Sequence, residues 1–503
     1  MYRNPILPGF HPDPSICRVG RDYYLVNSSF EFFPGVPVYH SRDLVHWRAI
    51  GHCLSRPDQV DLSGVPASGG IYAPTIRYHV QRRRFYMITT CVTAGGHFFV
   101  HAENPAGPWS DAVWIPHPGI DPSLYFAEDG TAYFQCTIGD HDGVIVQGRL
   151  NLDSGALEEV RPLWKGTGGQ YAEAPHLYRI GAWYYLMVAE GGTEYGHMET
   201  IARSVDLWGP YESCPHNPIL THRSTAHPVQ ATGHADLVQT AEGAWWMVFL
   251  GIRPLWGRYH HLGRETFLAS VRWDEQGWPV VGEKGTAPLN IPAEGLPPTA
   301  PMPPEPERDD FDGDTLPFCW NFIRRPDPSG WSLTERPGFL RLYGGSTTLD
   351  ETASPMFVGR RQGHAHSEAL CRLEFAPRVS GQEAGLCVYR DHRHHCELFV
   401  EHRDGGASLV LRQRIGRLAV RLAERPIPPG PLILRVEADD FLYRFSFRME
   451  SDAAFQPMGE AEVIYLSTEV AGGFTGVYVG LFAQRSDDAP MPPADFDWFA
   501  LHP

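Results

Sequence analysis

The sequence has no Cys-x-x-Cys pair, no His-Glu-x-x-His and no Gly-x-Ser-x-Gly. These absences remove thiol-redox, zinc-peptidase and serine-esterase arrangements. Gly166-Thr167-Gly168-Gly169 lacks the following Lys-Ser/Thr and a helix, so it makes no phosphate loop. The 9 cysteines are scattered and odd in number, which reads as a reduced, cytoplasmic chain with structural thiols. No apolar run is long enough to span a membrane, and Met1-Tyr2-Arg3-Asn4-Pro5 carries no charged-then-apolar leader. Basic residues are also short: 42 Lys and Arg face 59 Asp and Glu, a formal charge of −17. With no surplus to displace counterions from phosphate, a nucleic-acid partner is excluded, and a neutral ligand is favoured.

What is present is a hidden repeat. Asp13 lies in His11-Pro12-Asp13-Pro14-Ser15, Asp121 in Gly119-Ile120-Asp121-Pro122-Ser123, and Glu173 in Ala172-Glu173-Ala174-Pro175-His176. In each, a carboxylate precedes a proline, and about ten residues on comes an aromatic pair: Tyr23-Tyr24, Tyr133-Phe134, Tyr184-Tyr185. Ala73-Pro74-Thr75 before Phe85-Tyr86, and His234-Ala235-Asp236 before Trp245-Trp246, supply two further copies. The anchors Pro14, Pro74, Pro122, Pro175 and Ala235 are 60, 48, 53 and 60 residues apart. Units of this size with several short strands each predict a five-bladed β-propeller. Equivalent positions of a propeller surround one channel. Asp13, Asp121, Glu173 and His234 are therefore expected at one mouth, with Ala73 at the remaining blade. Singly, each has a bland reading: Asp before Pro is a common turn or cap, Glu173 could end a strand, and His234 could sit in a core.

The propeller is expected over about residues 1–290. Residues 291–308 form a linker, within a stretch that carries eight prolines from Pro288 to Pro306 and should run extended. Residues 309–503 alternate apolar and polar in short runs, as in Phe339-Leu340-Arg341-Leu342-Tyr343, and predict a jelly-roll-like β-sandwich. Asp391-His392-Arg393-His394-His395-Cys396 lacks the spacing of a closed metal site and reads as a solvated strand edge.

The segments Asn4 to Ile16, Ser29 to Gly35, Gly119 to Leu124, Ala172 to Tyr178, Ala189 to Thr193, Ala231 to Leu237 and Leu262 to Leu268 resemble glycoside hydrolase family 43. Arg308 to Asp312, Arg336 to Gly338, Gly472 to Gly476 and Asp495 to Asp497 resemble the sandwich of its β-xylosidase and α-L-arabinofuranosidase members. The resemblance implies an inverting glycosidase, with Asp13 as general base, Glu173 as general acid and Asp121 as modulator of that acid. It implies that His234 and Arg264 line the sugar subsite, with Phe30 and Thr193 beside them and Phe474 reaching over from the sandwich. Tyr72 and Phe32 are expected near the pocket. Two departures stand out: Tyr72 replaces the family's frequent Trp in Gly-Ile-Trp-Ala-Pro, and Ala174 replaces the Gly of Glu-Gly-Pro. Both are expected to alter the pocket wall. The resemblance also implies a dimer or tetramer and permits, through His234, a channel cation such as calcium; no cofactor is required.

Inversion needs a base on one face of the sugar and an acid on the other, about 6.5–9.5 Å apart. Arg264 could offset the excess negative charge and donate to sugar hydroxyls. The leading expectation is an exo-acting β-D-xylosidase on xylo-oligosaccharides. An exo-α-L-arabinofuranosidase, or one pocket accepting both sugars of arabinose-substituted oligosaccharides, stands beside it. A non-catalytic carbohydrate-binding protein would have lost at least one acid, and all three are present.

Overall fold

A computed structural model describes residues 1–403, 405–486 and 490–503. The aromatic and β-branched runs become strands, and the five repeats become five four-stranded antiparallel blades. The innermost strands are Ser15–Val19, Thr75–His79, Ile120–Phe126, Glu173–Ile180 and Gln230–Gln239. Most outermost strands are short or exposed, as Glu212–Ser213 and Leu157–Trp164 show, whereas Arg48–Leu54 of blade one is largely buried. The ring is closed by the first residues. Tyr2–Arg3 pairs with Asn290–Ile291, and Leu7 bridges Thr266 on the third strand of blade five. The Asn4 amide completes the clasp, donating to Leu268 O and Pro288 O and accepting from Leu268 N.

The C-terminal part is a sandwich of two eight-stranded sheets around a core that includes Leu386, Leu398, Leu434, Phe445 and Phe496. One sheet ends in a strand the sandwich does not own. Asn321–Ile323 pairs with Phe32–Phe33, a two-residue strand from the first blade. Phe10, Phe30, Phe32, Tyr389 and Tyr478 pack into one apolar cluster at this junction. Truncating a fully buried Phe such as Phe10 would cost about 3–5 kcal/mol, so the junction is a core rather than a loose contact.

The structure corrects two expectations. Phe32 is fully buried, stacked 4.1 Å from Tyr478, and belongs to the inter-domain core instead of a pocket wall. The Asp391–Cys396 stretch is not a solvated edge: it turns between Gln382–Asp391 and His394–Arg403, inner strands of a sandwich sheet, and Asp391, His394 and His395 are buried. The glycine-rich segment Gly166–Gly169 wraps a carboxylate of the chain itself. Thr167 N and Gly169 N donate to the Glu190 carboxylate at 2.8 and 2.7 Å.

Candidate active site

At one mouth of the channel the backbone adopts a conformation that side chains other than glycine seldom take. Asp13, Asp121 and His234 have φ of 52°, 51° and 50°. Asp, Asn and His tolerate this left-handed region better than other non-glycine residues. Each immediately precedes its anchor, Pro14, Pro122 or Ala235. The fourth blade puts Ala174 at this position, φ 53°, and Glu173 one residue earlier. The three acids therefore do not share one phase: two aspartates and His234 do, and Glu173 is offset by one. Register shifts in the inner strands at Ile120/Ser123, Glu173/His176 and Gly233/Asp236 mark β-bulges that lift these residues out of the ladder. The Ala174 departure thus acts on the backbone as well as the wall. Ala174→Gly should raise stability by about 1 kcal/mol by relieving left-handed strain; urea unfolding measures it, and unchanged stability would contradict the strain.

Asp13 is buried and fully engaged. Arg264 Nη1 donates to its Oδ1 at 2.6 Å, the Ser28 hydroxyl donates to its Oδ2, and His234 Nδ1 lies 3.7 Å from its Oδ1. Burial alone would push this carboxyl up. The Arg264 guanidinium, then His234, Ser28 and His197, outweigh burial and hold it below the ordinary carboxylate range. Asp121 lacks such partners. Burial first, then the Asp13 charge, push it up to about 6 against the pull of His234 and Arg264. Glu173 is displaced furthest: burial, then the charges of Asp121 and Asp13, hold it well above the usual value, with only Arg264 opposing. One mouth therefore holds an acid that ionises easily and an acid that keeps its proton.

Asp121→Asn tests this division. Above pH about 6 the Asp121 charge repels ionisation of Glu173. Removing it should move the alkaline limb of kcat/KM toward acid by about one unit, equivalent to ~1.4 kcal/mol of lost repulsion. The acid limb, set by Asp13, should stay. A pH–rate profile with an unmoved alkaline limb would refute the coupling.

Around the acids, Arg264 Nη1 also meets Thr193 Oγ1 at 3.2 Å, and its guanidinium lies 5.6 Å from the ring centres of both Phe30 and Phe474. Arg264 is thus committed to Asp13, while its buried Nε has no protein partner. Phe30 and Tyr72 are 5.2 Å apart, and each lies 6.1 Å from Phe474. Phe474 comes from the sandwich and is held there by groups that local sequence does not reveal. Its N–H donates to Ser68 Oγ at 2.8 Å, and Ser68 N donates to buried Glu31 at 3.0 Å. A side chain at Gly473, φ 72°, would sit 2.3 Å from Ser68 Oγ, so this turn requires glycine. Buried Arg390 donates to Gly472 O at 2.8 Å, to Thr468 Oγ1 at 3.1 Å and to Thr475 Oγ1.

Beneath the mouth lies a second ring that the repeat contained unnoticed. One residue after each anchor come Ser15, Thr75, Ser123, His176 and Asp236, all buried and polar. Asp236 is its hub. It accepts from Ser15 Oγ and Ile16 N of blade one, both Arg77 Nη groups of blade two, and Tyr178 OH of blade four, at 2.7–3.0 Å. Arg77 and its companions depress the Asp236 carboxyl despite burial. This charge binds four blades into one frame and keeps the mouth in register. His234 turns Nδ1 toward Asp13, and among the described residues no group of three His, Cys, Asp or Glu forms around it.

A family model described as "Glycosyl hydrolases family 43" matches residues 2–279, and "Beta xylosidase C-terminal Concanavalin A-like domain" matches residues 308–502. The chain is 47% identical over 505 residues to a non-reducing end alpha-L-arabinofuranosidase of Bacteroides ovatus, covering 99% of this chain and 94% of the relative. It is 40% identical over 519 residues to a xylosidase/arabinosidase of Butyrivibrio fibrisolvens, covering 99% and 98%. It superposes on the crystal structure of a xylan beta-1,4-xylosidase from Bacillus halodurans with TM-score 0.95 at 38% identity, covering 100% of each chain.

Proposed function

Since the chain belongs to glycosyl hydrolase family 43, we propose that its mouth of carboxylates removes a terminal β-D-xylose from xylo-oligosaccharides with inversion. The observation that carries this reading is the opposed displacement of two acids in one mouth, Asp13 down and Glu173 up. Asp13, ionised, takes a proton from water as that water attacks the anomeric carbon. Glu173, protonated, gives its proton to the leaving glycosidic oxygen. Asp121 acts on Glu173 through charge, keeping that proton in place at neutral pH. Arg264 fixes the Asp13 carboxylate. Tyr72 and Phe474 offer ring faces to the sugar, backed by buried Phe30, and Thr193 and His234 complete the wall.

A second reading, a terminal α-L-arabinofuranose in place of xylose, is favoured by the printed activity of the 47%-identical relative. Side-by-side kinetics on nitrophenyl β-xyloside and nitrophenyl α-arabinofuranoside decide between them. A kcat/KM for the xyloside at or above that for the arabinofuranoside upholds the first reading; a tenfold or greater excess for the arabinofuranoside replaces it. NMR of the first-formed sugar should show inverted anomeric configuration. Retention would overturn the base assignment of Asp13.

No helix among the described residues is long and apolar enough to cross a membrane. The cysteines are all unpaired, which supports the reading of a reducing, cytoplasmic setting. A second copy of the chain is proposed on the outermost sandwich strand, Leu418–Ile427. Its free edge and exposed Leu418, Val420 and Leu422 support that contact; light scattering would read a mass of one chain if it is wrong.

A further inference from the structure

Between the second and third blades lie three side chains that the chemistry above does not use. His97 is on Gly96–Ala102, His117 in the connection to the next blade, and Cys136 on Ala132–Ile138. One ligand atom from each lies within 4.8 Å of the other two. Cys136 Sγ is 3.6 Å from His117 Nδ1. His97 is fully buried, its Nδ1 meets Thr90 Oγ1 at 2.7 Å, and its Nε2 makes no well-formed hydrogen bond, the nearby Pro118 carbonyl being shared with His117 Nδ1 and, at 3.7 Å, Cys136 Sγ. A buried nitrogen left without a good hydrogen bond costs about 1–3 kcal/mol, which a ligand at this point would offset. Phe134 packs against both imidazoles, 5.3 Å from His97 and 5.9 Å from His117, and orients them.

We propose that His97, His117 and Cys136 form a binding site for a thiophilic divalent cation of the zinc class, linking blades two and three behind Asp121. Two imidazoles and a thiolate suit zinc, leaving a fourth position for water. Thr90 Oγ1 engages His97 Nδ1, so Nε2 is the ring nitrogen left to ligate. A cysteine ligates as the thiolate, so the cation must displace the Cys136 proton. On binding, the metal–sulfur bond forms, the S–H bond breaks and the proton leaves to water. His117 now contacts Pro118 O through Nδ1 at 2.7 Å. To ligate through that atom it releases the carbonyl and carries its proton on Nε2. Nothing is oxidised or reduced. The ligand atoms must draw in by about an ångström to reach zinc distances of ~2.0–2.3 Å, and half-buried His117 provides the way in.

The test loads the metal-stripped full chain with Zn²⁺ or Co²⁺, removes excess by gel filtration, and counts bound metal. The expected result is one zinc retained per chain, a thiolate-to-cobalt charge-transfer band, and a raised thermal midpoint with zinc. Both the retained zinc and the band should vanish in Cys136→Ser and in His117→Asn. His117 is partly exposed, so the second variant decides if the first fails to fold. No charge-transfer band in the unmodified chain, or a band that survives in the folded variants, would overturn the site.

Discussion

Glu173→Gln should lower kcat on xylobiose by about 10²–10⁴-fold, the usual worth of a positioned general acid. It should lower kcat on a nitrophenyl xyloside far less. The contrast follows from what the proton does. A sugar alkoxide is a poor leaving group and needs protonation as the bond breaks; a nitrophenolate leaves without it. Glutamine keeps the size of the side chain and removes the proton. It also removes nothing that folding depends on, because Glu173 stays protonated through burial and the charges of Asp121 and Asp13. Equal losses on the two substrates would mean that Glu173 acts on something other than the leaving oxygen. Unchanged xylobiose hydrolysis would end the assignment.

The companion substitution, Asp13→Asn, should cost about 10³-fold or more on every substrate, whatever its leaving group. The attacking water must lose its proton in either case, and activating the leaving group cannot replace a base. Asparagine is the right replacement because the backbone at Asp13 is left-handed, φ 52°, and Asn tolerates that region. Alanine would add strain of about 1–3 kcal/mol and confuse the result. The change also deprives buried Arg264 of its counter-charge. A stability loss should accompany it, since unpairing a buried ion costs several kcal/mol. Rates must therefore be taken per folded molecule. If activated aryl glycosides were spared by Asp13→Asn, the roles of Asp13 and Glu173 would have to be exchanged.

How far the site could be read from the chain depends on the range of each interaction. Asp13 and Asp121 announce themselves because a carboxylate before proline at a repeated spacing is a local pattern. Glu173 was legible as an acid but not as an offset one. The phase depends on a bulge, and Ala174 hides the left-handed position that a glycine would have advertised. Phe474 was legible only through resemblance, since nothing near it says that Ser68, 406 residues away, receives its N–H. Phe32 misled for the complementary reason: an aromatic beside the motif looked like a wall, but its partner is Tyr478. Asp236 and Arg77, 159 residues apart, carry no local sign of pairing. Yet the polar residue after every anchor was in plain view.

The strand Phe32–Phe33, lent by the first blade to the edge of a sandwich sheet, bears on modularity. A gene fragment ending in the proline-rich segment would yield a ring whose Phe32 and Phe10 face water and whose borrowed strand has no neighbour to pair with. The complementary fragment would be a sheet missing its last strand. The tether between the halves is therefore not a hinge about which they swing, and neither half can be swapped for another as a cassette. Duplication or fusion events must carry both together, and heat should melt them in a single transition.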